Sequence, residues 1–286
     1  MKTALAFGAS GQIGAPMLDR LRVAGWNIIA VSRGEHADAP ALAWKRGDFA
    51  NLPSLPSHVD AVFCCGPLDL FSQWYGESHV EAPRVVAFGS TSVHVKRDSN
   101  DPRERDVALR LREGEQRLFA AAVRGGRATV LRPTLVYGRG RDATLSRIAA
   151  LARRFGRFPL PRGANGLRQP AHADDLADAA FAVAHADSLS ASAYDLPGGE
   201  TLQYREMVRR VLDCLDSPAK LVELPSPLFK LLLAAAQASG RAKGLGEAAL
   251  ARMREDLVFD AGPARRDFGY APRAFVPSAE MFKPAS

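Results

Sequence analysis

Short apolar runs alternate with stretches of helical periodicity over the first half of this chain. The runs at 2–7, 27–32, 41–45, 61–65, 84–89 and 128–132 predict strands. Several are almost wholly apolar, the pattern of strands covered on both faces. A helix is expected over 14–24, with Pro16 in its first turn, where a missing N–H does least harm, and Gly25 closing it. A longer helix is expected over 102–123. Val107, Leu111, Leu118 and Ala122 form its buried stripe, and Gly125-Gly126 ends it. After Pro133 the pattern loosens. Helices are expected near 143–155, 174–186, 204–215, 226–238 and 245–254, with short strands at 193–196 and 220–224. Pro159, Pro161, Gly163 and Gly166 read as a mobile loop.

This alternation predicts an α/β fold, a doubly wound parallel (Rossmann) sheet with a small, mostly helical C-terminal lobe. The dinucleotide-binding core is expected over 1–140. Residues 141–286 add late sheet elements and a small substrate lobe. Cys64, Cys65 and Cys214 have neither disulfide nor metal-ligand spacing, and the six histidines are scattered, so no metal site is expected. The longest apolar run, 228–236, contains Lys230 and falls short of the roughly 18–20 residues of a membrane span. No signal-peptide pattern precedes the first strand, and a cytoplasmic protein with reduced thiols is expected.

The net charge of +7 is uneven: residues 139–168 hold eight arginines and a single acid, Asp142. A solvated basic face and a site for an anionic substrate are both open readings. No nucleic-acid module accompanies the charge, so the expected partner is a small molecule rather than a nucleic acid. No oligomeric state is implied.

The chemistry begins at Gly8-Ala9-Ser10-Gly11-Gln12-Ile13-Gly14, where a strand delivers the chain to a tight turn and a helix follows. Gly8 permits the turn, Gly11 lets the backbone approach a pyrophosphate, and Gly14 lets helix and strand pack closely. The helix N-terminus offers free N–H groups to phosphates. Ser10, Gln12 and Ile13 complete the candidate cradle. The second strand ends in Ser32-Arg33-Gly34, without the acid that would hold the ribose 2′-hydroxyl of NAD(H). A guanidinium suits a 2′-phosphate, so NADP(H) is favoured and NAD(H) stays open. The alternative is that Arg33 is a solvated loop residue. Asp48-Phe49, after the third strand, offers a carboxylate and an N–H to the adenine.

The glycine motif does not stand alone. The strand 59–63, Ser90-Thr91-Ser92, Leu131-Arg132-Pro133-Thr134-Leu135-Val136-Tyr137-Gly138, the segment 169–177 and Asp267-Phe268-Gly269-Tyr270-Ala271-Pro272 accompany it. Together they resemble the NAD(P)-dependent epimerase/dehydratase branch of the short-chain dehydrogenases/reductases, over nearly the whole chain. The resemblance implies a dinucleotide across the C-terminal strand edge and a substrate under the small lobe. It puts Gly66 and Pro67 near the nicotinamide ribose and Pro133 and Leu135 near the carboxamide, with Cys65 at the strand end near the cofactor. It implies an oxidoreductase or epimerase-like activity.

The departure from that family is as informative. Its members use a Tyr with a Lys one helical turn later as the proton-transfer pair, and a Ser or Thr to orient the substrate oxygen. Ser90, Thr91 or Ser92 can fill the last role. No Tyr and no Lys occurs between residues 97 and 136, and matching Gly114-Glu115-Gln116 to the family's helix leaves Val107 and Leu111 in the two slots. His94, which follows the serines, is a candidate replacement, since imidazoles titrate near neutrality. Tyr137 and His172 are others. Each has a structural alternative: His94 as a loop residue, Tyr137 as packing, His172 as the start of a helix. The loss of the pair also admits a dinucleotide-binding redox sensor or assembly protein without turnover.

Overall fold

The computed structural model describes residues 1–142, 144–238 and 247–283. The first half holds β1 (Thr3–Phe7), α1 (Gly14–Val23), β2 (Asn27–Ser32), β3 (Leu42–Arg46), β4 (Ala61–Cys64), α2 (Leu68–Glu77), β5 (Arg84–Phe88), α3 (Ser92–Val95), α4 (Pro102–Ala122) and β6 (Arg127–Pro133). Then come β7 (Val136–Tyr137), α5 (Leu145–Phe155), β8 (Arg157–Pro161), β9 (Leu167–Arg168), β10 (Ala171–His172), α6 (Ala173–His185) and β11 (Ala193–Leu196). β12 (Leu202–Gln203), α7 (Tyr204–Asp213), β13 (Lys220–Leu224), α8 (Ser226–Ala238), α9 (Glu247–Arg252), α10 (Gly262–Phe268) and a 3-10 turn (Ala279–Phe282) complete it. Residues 143, 245 and 246, expected to begin the helices that appear as α5 and α9, lie outside the described residues.

Seven parallel strands make one sheet in the order β11-β6-β5-β4-β1-β2-β3. This is the doubly wound α/β sheet that the sequence predicts, and its six early strands begin and end within one residue of expectation. The direction of winding reverses between β1 and β4, the crossing at which open α/β sheets bind ligands. Period-2 alternation divides β1 between two cores. Ala4 and Ala6 face the layer holding Met17 and Leu21 of α1 and Ala177 and Ala180 of α6. Leu5 and Phe7 face Phe71 and Tyr75 of α2 and Leu118 of α4.

Two local expectations are corrected. The buried stripe of α4 is Ala108, Gly114, Glu115, Leu118 and Ala122, whereas Val107 and Leu111 are only half-buried. A Cβ on Gly114 would stand 3.4 Å from the backbone of Asp69, so the close approach of α4 to α2 rotates the glycine inward. Pro159 and Pro161 are not in a loop. They belong to β8, which pairs in parallel with β13 in a two-stranded ribbon. Such an edge strand tolerates prolines because part of its N–H row needs no partner. A third core, with Tyr137, Leu145, Met207, Val211, Phe275 and Phe282, holds α5, α7 and the C-terminal turn together.

Candidate functional site

The glycine turn lies at the crossing point. Gly8 adopts φ +66°, and a Cβ there would stand 2.7 Å from the Cys65 carbonyl carbon at the end of β4. A Cβ on Gly14 would stand 2.2 Å from the Gly8 oxygen, so α1 starts against the turn itself. The Gly11 N–H closes the turn on the Gly8 carbonyl at 2.9 Å. Among the described residues, the N–H groups of Gln12, Ile13 and Gly14 meet no protein acceptor. No side chain caps α1, and its first turn holds no acid. The buried Gln12 amide nitrogen also has no partner among the described residues. A helix start left with free donors, no counter-charge and a glycine floor fits the phosphates of a dinucleotide.

Ser32 ends β2 beside this turn. Its hydroxyl lies 3.2 Å from Ser10 Oγ and 3.0 Å from His36 Nε2, and His36 stacks on Trp44 at 4.2 Å. Arg33 is exposed and has no ion pair among the described residues. The nearest acid in sequence, Glu35, pairs with Arg46 at 2.7 Å. The Asp48 carboxylate accepts from the N–H groups of Ala50 and Asn51 in its own turn. Phe49 packs on Phe7 at 5.2 Å and faces the open side of Gly66. Cys65 is half-buried against Met17, Pro67 is exposed at the start of α2, and burial pushes the Cys64 thiol up to about 12 and that of Cys65 well above its usual value.

The ends of β5, β6 and β11 form the next part of the edge. Ser90 Oγ accepts from the Ser92 N–H at 3.1 Å, and both side chains are half-exposed. Thr91 is buried and donates to the Pro133 carbonyl at 3.3 Å, tying β5 to β6. Pro133 is buried, while Leu135 is half-exposed. His94, on α3, has its Nε2 3.3 Å from Asp195 Oδ1 of β11 and 3.3 Å from Arg132 Nη1 of β6. Arg132 is itself clamped by both oxygens of the buried Glu115 of α4, with Nε to Oε1 at 2.7 Å. Burial works against the guanidinium, but the Glu115 pair outweighs it and raises the Arg132 pKa. The His94 Nδ1 is without a protein partner among the described residues. The sequence reading missed Asp195 and gave Glu115 and Arg132 no role. An acid in an otherwise buried stripe, one residue after an inward glycine, is a signal that could have found Glu115.

Tyr137 and His172 sit below this edge. Tyr137 is fully enclosed, edge-on to His172 at 5.0 Å and to Phe275 at 4.8 Å. Burial, with Asp175 adding to it, pushes its phenol up to about 12. His172 caps α6, its Nδ1 accepting from the Asp174 N–H at 3.1 Å. Burial and Arg273 lower its pKa.

The basic segment does not form one patch. Arg139 pairs with Asp174 at 2.7 Å, and Arg153 donates to the carbonyls of Phe282 and Ala279. Arg168 is buried and donates to the carbonyls of Leu167, Arg252 and Glu255. Arg141 turns to the glycine loop and donates to the Ser10 carbonyl. No helix of the described residues is long and apolar enough to cross a membrane.

Comparison with known proteins places this geometry. No family model matches the chain. A 2-alkyl-3-oxoalkanoate reductase of Stenotrophomonas maltophilia (strain K279a) is 27% identical over 269 residues, 84% of this chain and 76% of that protein. The UDP-glucuronic acid 4-epimerase of Bacillus cereus, solved with NAD, superposes with a TM-score of 0.70 at 11% identity, covering 98% of this chain and 96% of that one. MoeE5, solved with UDP-glucose and NAD, gives 0.67 at 20% identity over 96% and 94%. As its motifs imply, the chain has the fold of the NAD-dependent epimerase/dehydratase branch of the short-chain dehydrogenases/reductases, with a reductase as a distant relative in sequence.

Proposed function

We propose that this chain is a dinucleotide-dependent oxidoreductase of the epimerase/dehydratase type, acting on a small anionic substrate at a carbonyl or carbinol carbon. The observation that carries the reading is the glycine turn with its acceptor-free N–H groups at Gln12, Ile13 and Gly14, set at the sheet's crossing point. Gly8, Gly11 and Gly14 shape the cradle, with Ser10 at its rim. Ser32 and Arg33 favour NADP(H) over NAD(H), because no free carboxylate stands at the end of β2. Cys65, Gly66, Pro67, Pro133 and Leu135 line the nicotinamide end, and Phe49 supports it from the second core. Asp48 holds its turn and presents that turn to the adenine. When bound, the nicotinamide supplies or accepts hydride. The 2-alkyl-3-oxoalkanoate named for the bacterial relative and the UDP-sugar held by MoeE5 both carry negative charge, which supports an anionic substrate.

In this reading Ser90 Oγ, with Ser92 behind it, orients the substrate oxygen, and Thr91 fixes the backbone between β5 and β6. His94 takes over proton transfer from the missing Tyr–Lys pair. As an imidazolium it donates Nε2–H to Asp195 and holds Nδ1–H towards the substrate. After giving up the Nδ1 proton it is neutral and still donates to Asp195. In the imidazolium form the 3.3 Å contact between Arg132 Nη1 and His94 Nε2 is not a hydrogen bond, since both atoms are donors, and the Asp195 carboxylate, 3.7 Å from Arg132 Nη1, faces both cations. Tyr137, enclosed and with its proton held to about pH 12, serves as packing. The absence of Tyr and Lys over 97–136 favours a second reading, dinucleotide binding without turnover. Calorimetry with NADPH and NADH, followed by NADPH oxidation against a panel of 3-oxo acids and other carbonyl compounds, separates the two. Binding with turnover supports the first reading and binding without it the second. No binding of either dinucleotide overturns both.

A further inference from the structure

Arg141 lies far in sequence from the glycine turn but is hydrogen-bonded to it, its guanidinium donating to the Ser10 carbonyl. The side chain is exposed, and among the described residues it has no carboxylate partner. The adjacent acid does not neutralise it. Asp142 accepts from the N–H groups of Thr144 at 3.1 Å and Ser146 at 3.0 Å, which commits its carboxylate to the start of α5. An unbalanced cation therefore stands beside the start of α1, where free N–H groups and the helix dipole already make the potential positive. Two positive features held side by side are mutually unfavourable unless an anion joins them. The carbonyl bond engages one N–H and leaves the fork's other donors for such an anion.

The placement of Arg141 is built by the backbone. Gly140 adopts φ +65° and donates to the Met281 carbonyl at 2.8 Å. A Cβ at Gly140 would stand 1.8 Å from the Lys283 oxygen. Arg153 holds the same C-terminal turn through Phe282 and Ala279, and Phe282 is buried in the third core. The C-terminal turn thus fixes the segment from which Arg141 reaches across to the dinucleotide turn.

We infer that Arg141 is a phosphate-binding residue of the dinucleotide site, closing on a phosphate group of the bound nucleotide from the C-terminal part of the chain. This rests on the dinucleotide reading above. The Ser10 rim adjoins both the pyrophosphate cradle and the Ser32-Arg33 end of β2, so the pyrophosphate and the 2′-phosphate share the chemistry.

Calorimetric titration of the full chain and its Arg141→Ala and Arg141→Lys variants with NADPH, NADH, ADP-ribose and adenosine 2′,5′-bisphosphate tests it. Arg141→Ala should weaken binding about 10- to 100-fold, the range of a charge-assisted hydrogen-bonded pair. Arg141→Lys should lose less, because charge remains while the planar fork does not. Loss with all the pyrophosphate ligands identifies the pyrophosphate. Loss confined to NADPH and the bisphosphate identifies the 2′-phosphate. Affinities of Arg141→Ala within about twofold of the unmutated protein for all four would overturn the inference while leaving the dinucleotide reading intact. Failure of the unmutated protein to bind any of them would overturn both. The Arg141 side chain is exposed, so the three proteins should melt at the same temperature, and a matching melting temperature assigns any loss of affinity to the site itself.

Discussion

Asp195 Oδ1 of β11 stands 3.3 Å from the Nε2 atom of His94, on the short helix that follows β5. The pairing joins β11 to α3 and leaves the opposite ring nitrogen free. An acid so placed holds the ring and fixes which nitrogen faces outward. If His94 is the proton donor, His94→Ala should lower kcat for carbonyl reduction about 10²- to 10⁴-fold, with a smaller change in dinucleotide affinity. Asp195→Asn should lower kcat as well, because the ring loses the carboxylate that orients it, while dinucleotide affinity is kept. An unaltered kcat in both variants would remove the pair from the chemistry.

Arg33 should decide between the two dinucleotides. A guanidinium on a 2′-phosphate contributes roughly 1.5–3 kcal/mol, so NADPH should bind on the order of 10- to 100-fold more tightly than NADH. Arg33→Ala should remove most of the difference and leave NADH binding as it was. Equal affinity for both in the unmutated protein would assign Arg33 to the solvated loop.

Much of this architecture is written in local pattern, and the exceptions have physical causes. β1, β2 and β5 are apolar runs bounded by glycine or polar residues, so period and punctuation agree. The glycine turn is equally plain, because its spacing is local and Gly14 is demanded by the Gly8 carbonyl within the same motif, although Gly8 itself is demanded by Cys65, after the distant β4. β8 is hidden from a local reading because its prolines signal a loop, and only its partner β13, some sixty residues on, makes it a strand. The face of α4 is hidden as well, because Gly114 and Glu115 look polar or neutral in a hydrophobic count, yet one lets α2 approach and the other meets Arg132. The grouping of His94, Asp195 and Arg132 depends on β6 and β11 being neighbours, a fact of sheet order that no single window contains.

Glu115 should prove costly to remove. Its carboxylate and the Arg132 guanidinium are 6% and 18% exposed. Glu115→Ala leaves the cation largely buried with only the Asp195 carboxylate 3.7 Å away, so the loss should lie at or below the about 3–5 kcal/mol typical of an uncompensated buried charge. Urea denaturation should show the loss in the midpoint with the slope unchanged. Glu115→Gln keeps the shape and one acceptor and should lose less. A midpoint shift near zero for Glu115→Ala would mean that water reaches Arg132 readily.

His172 should set an acid-side limit on stability. Its folded-state pKa is lowered, by burial first and by Arg273 next, from an ordinary value of 6.5. The unfolded chain therefore binds the proton more readily. The contribution of neutral His172 is fully present above pH 6.5 and is lost progressively as the pH falls from there towards and through its folded-state value. The lowered carboxylates Asp174, Glu104 and Glu200 act in the same direction only further into acid, from below their ordinary values of 3.8 and 4.5. The window just below pH 6.5 thus belongs chiefly to the histidine. His172→Asn keeps a side-chain acceptor for the Asp174 N–H, since Asn is a good N-cap, but cannot titrate. Melting curves at about pH 7.5 and about pH 5.5 should show a clear fall for the unmutated protein and a smaller one for His172→Asn, whatever the offset between them at the higher pH. Parallel falls in the two proteins would show that another group carries the acid sensitivity.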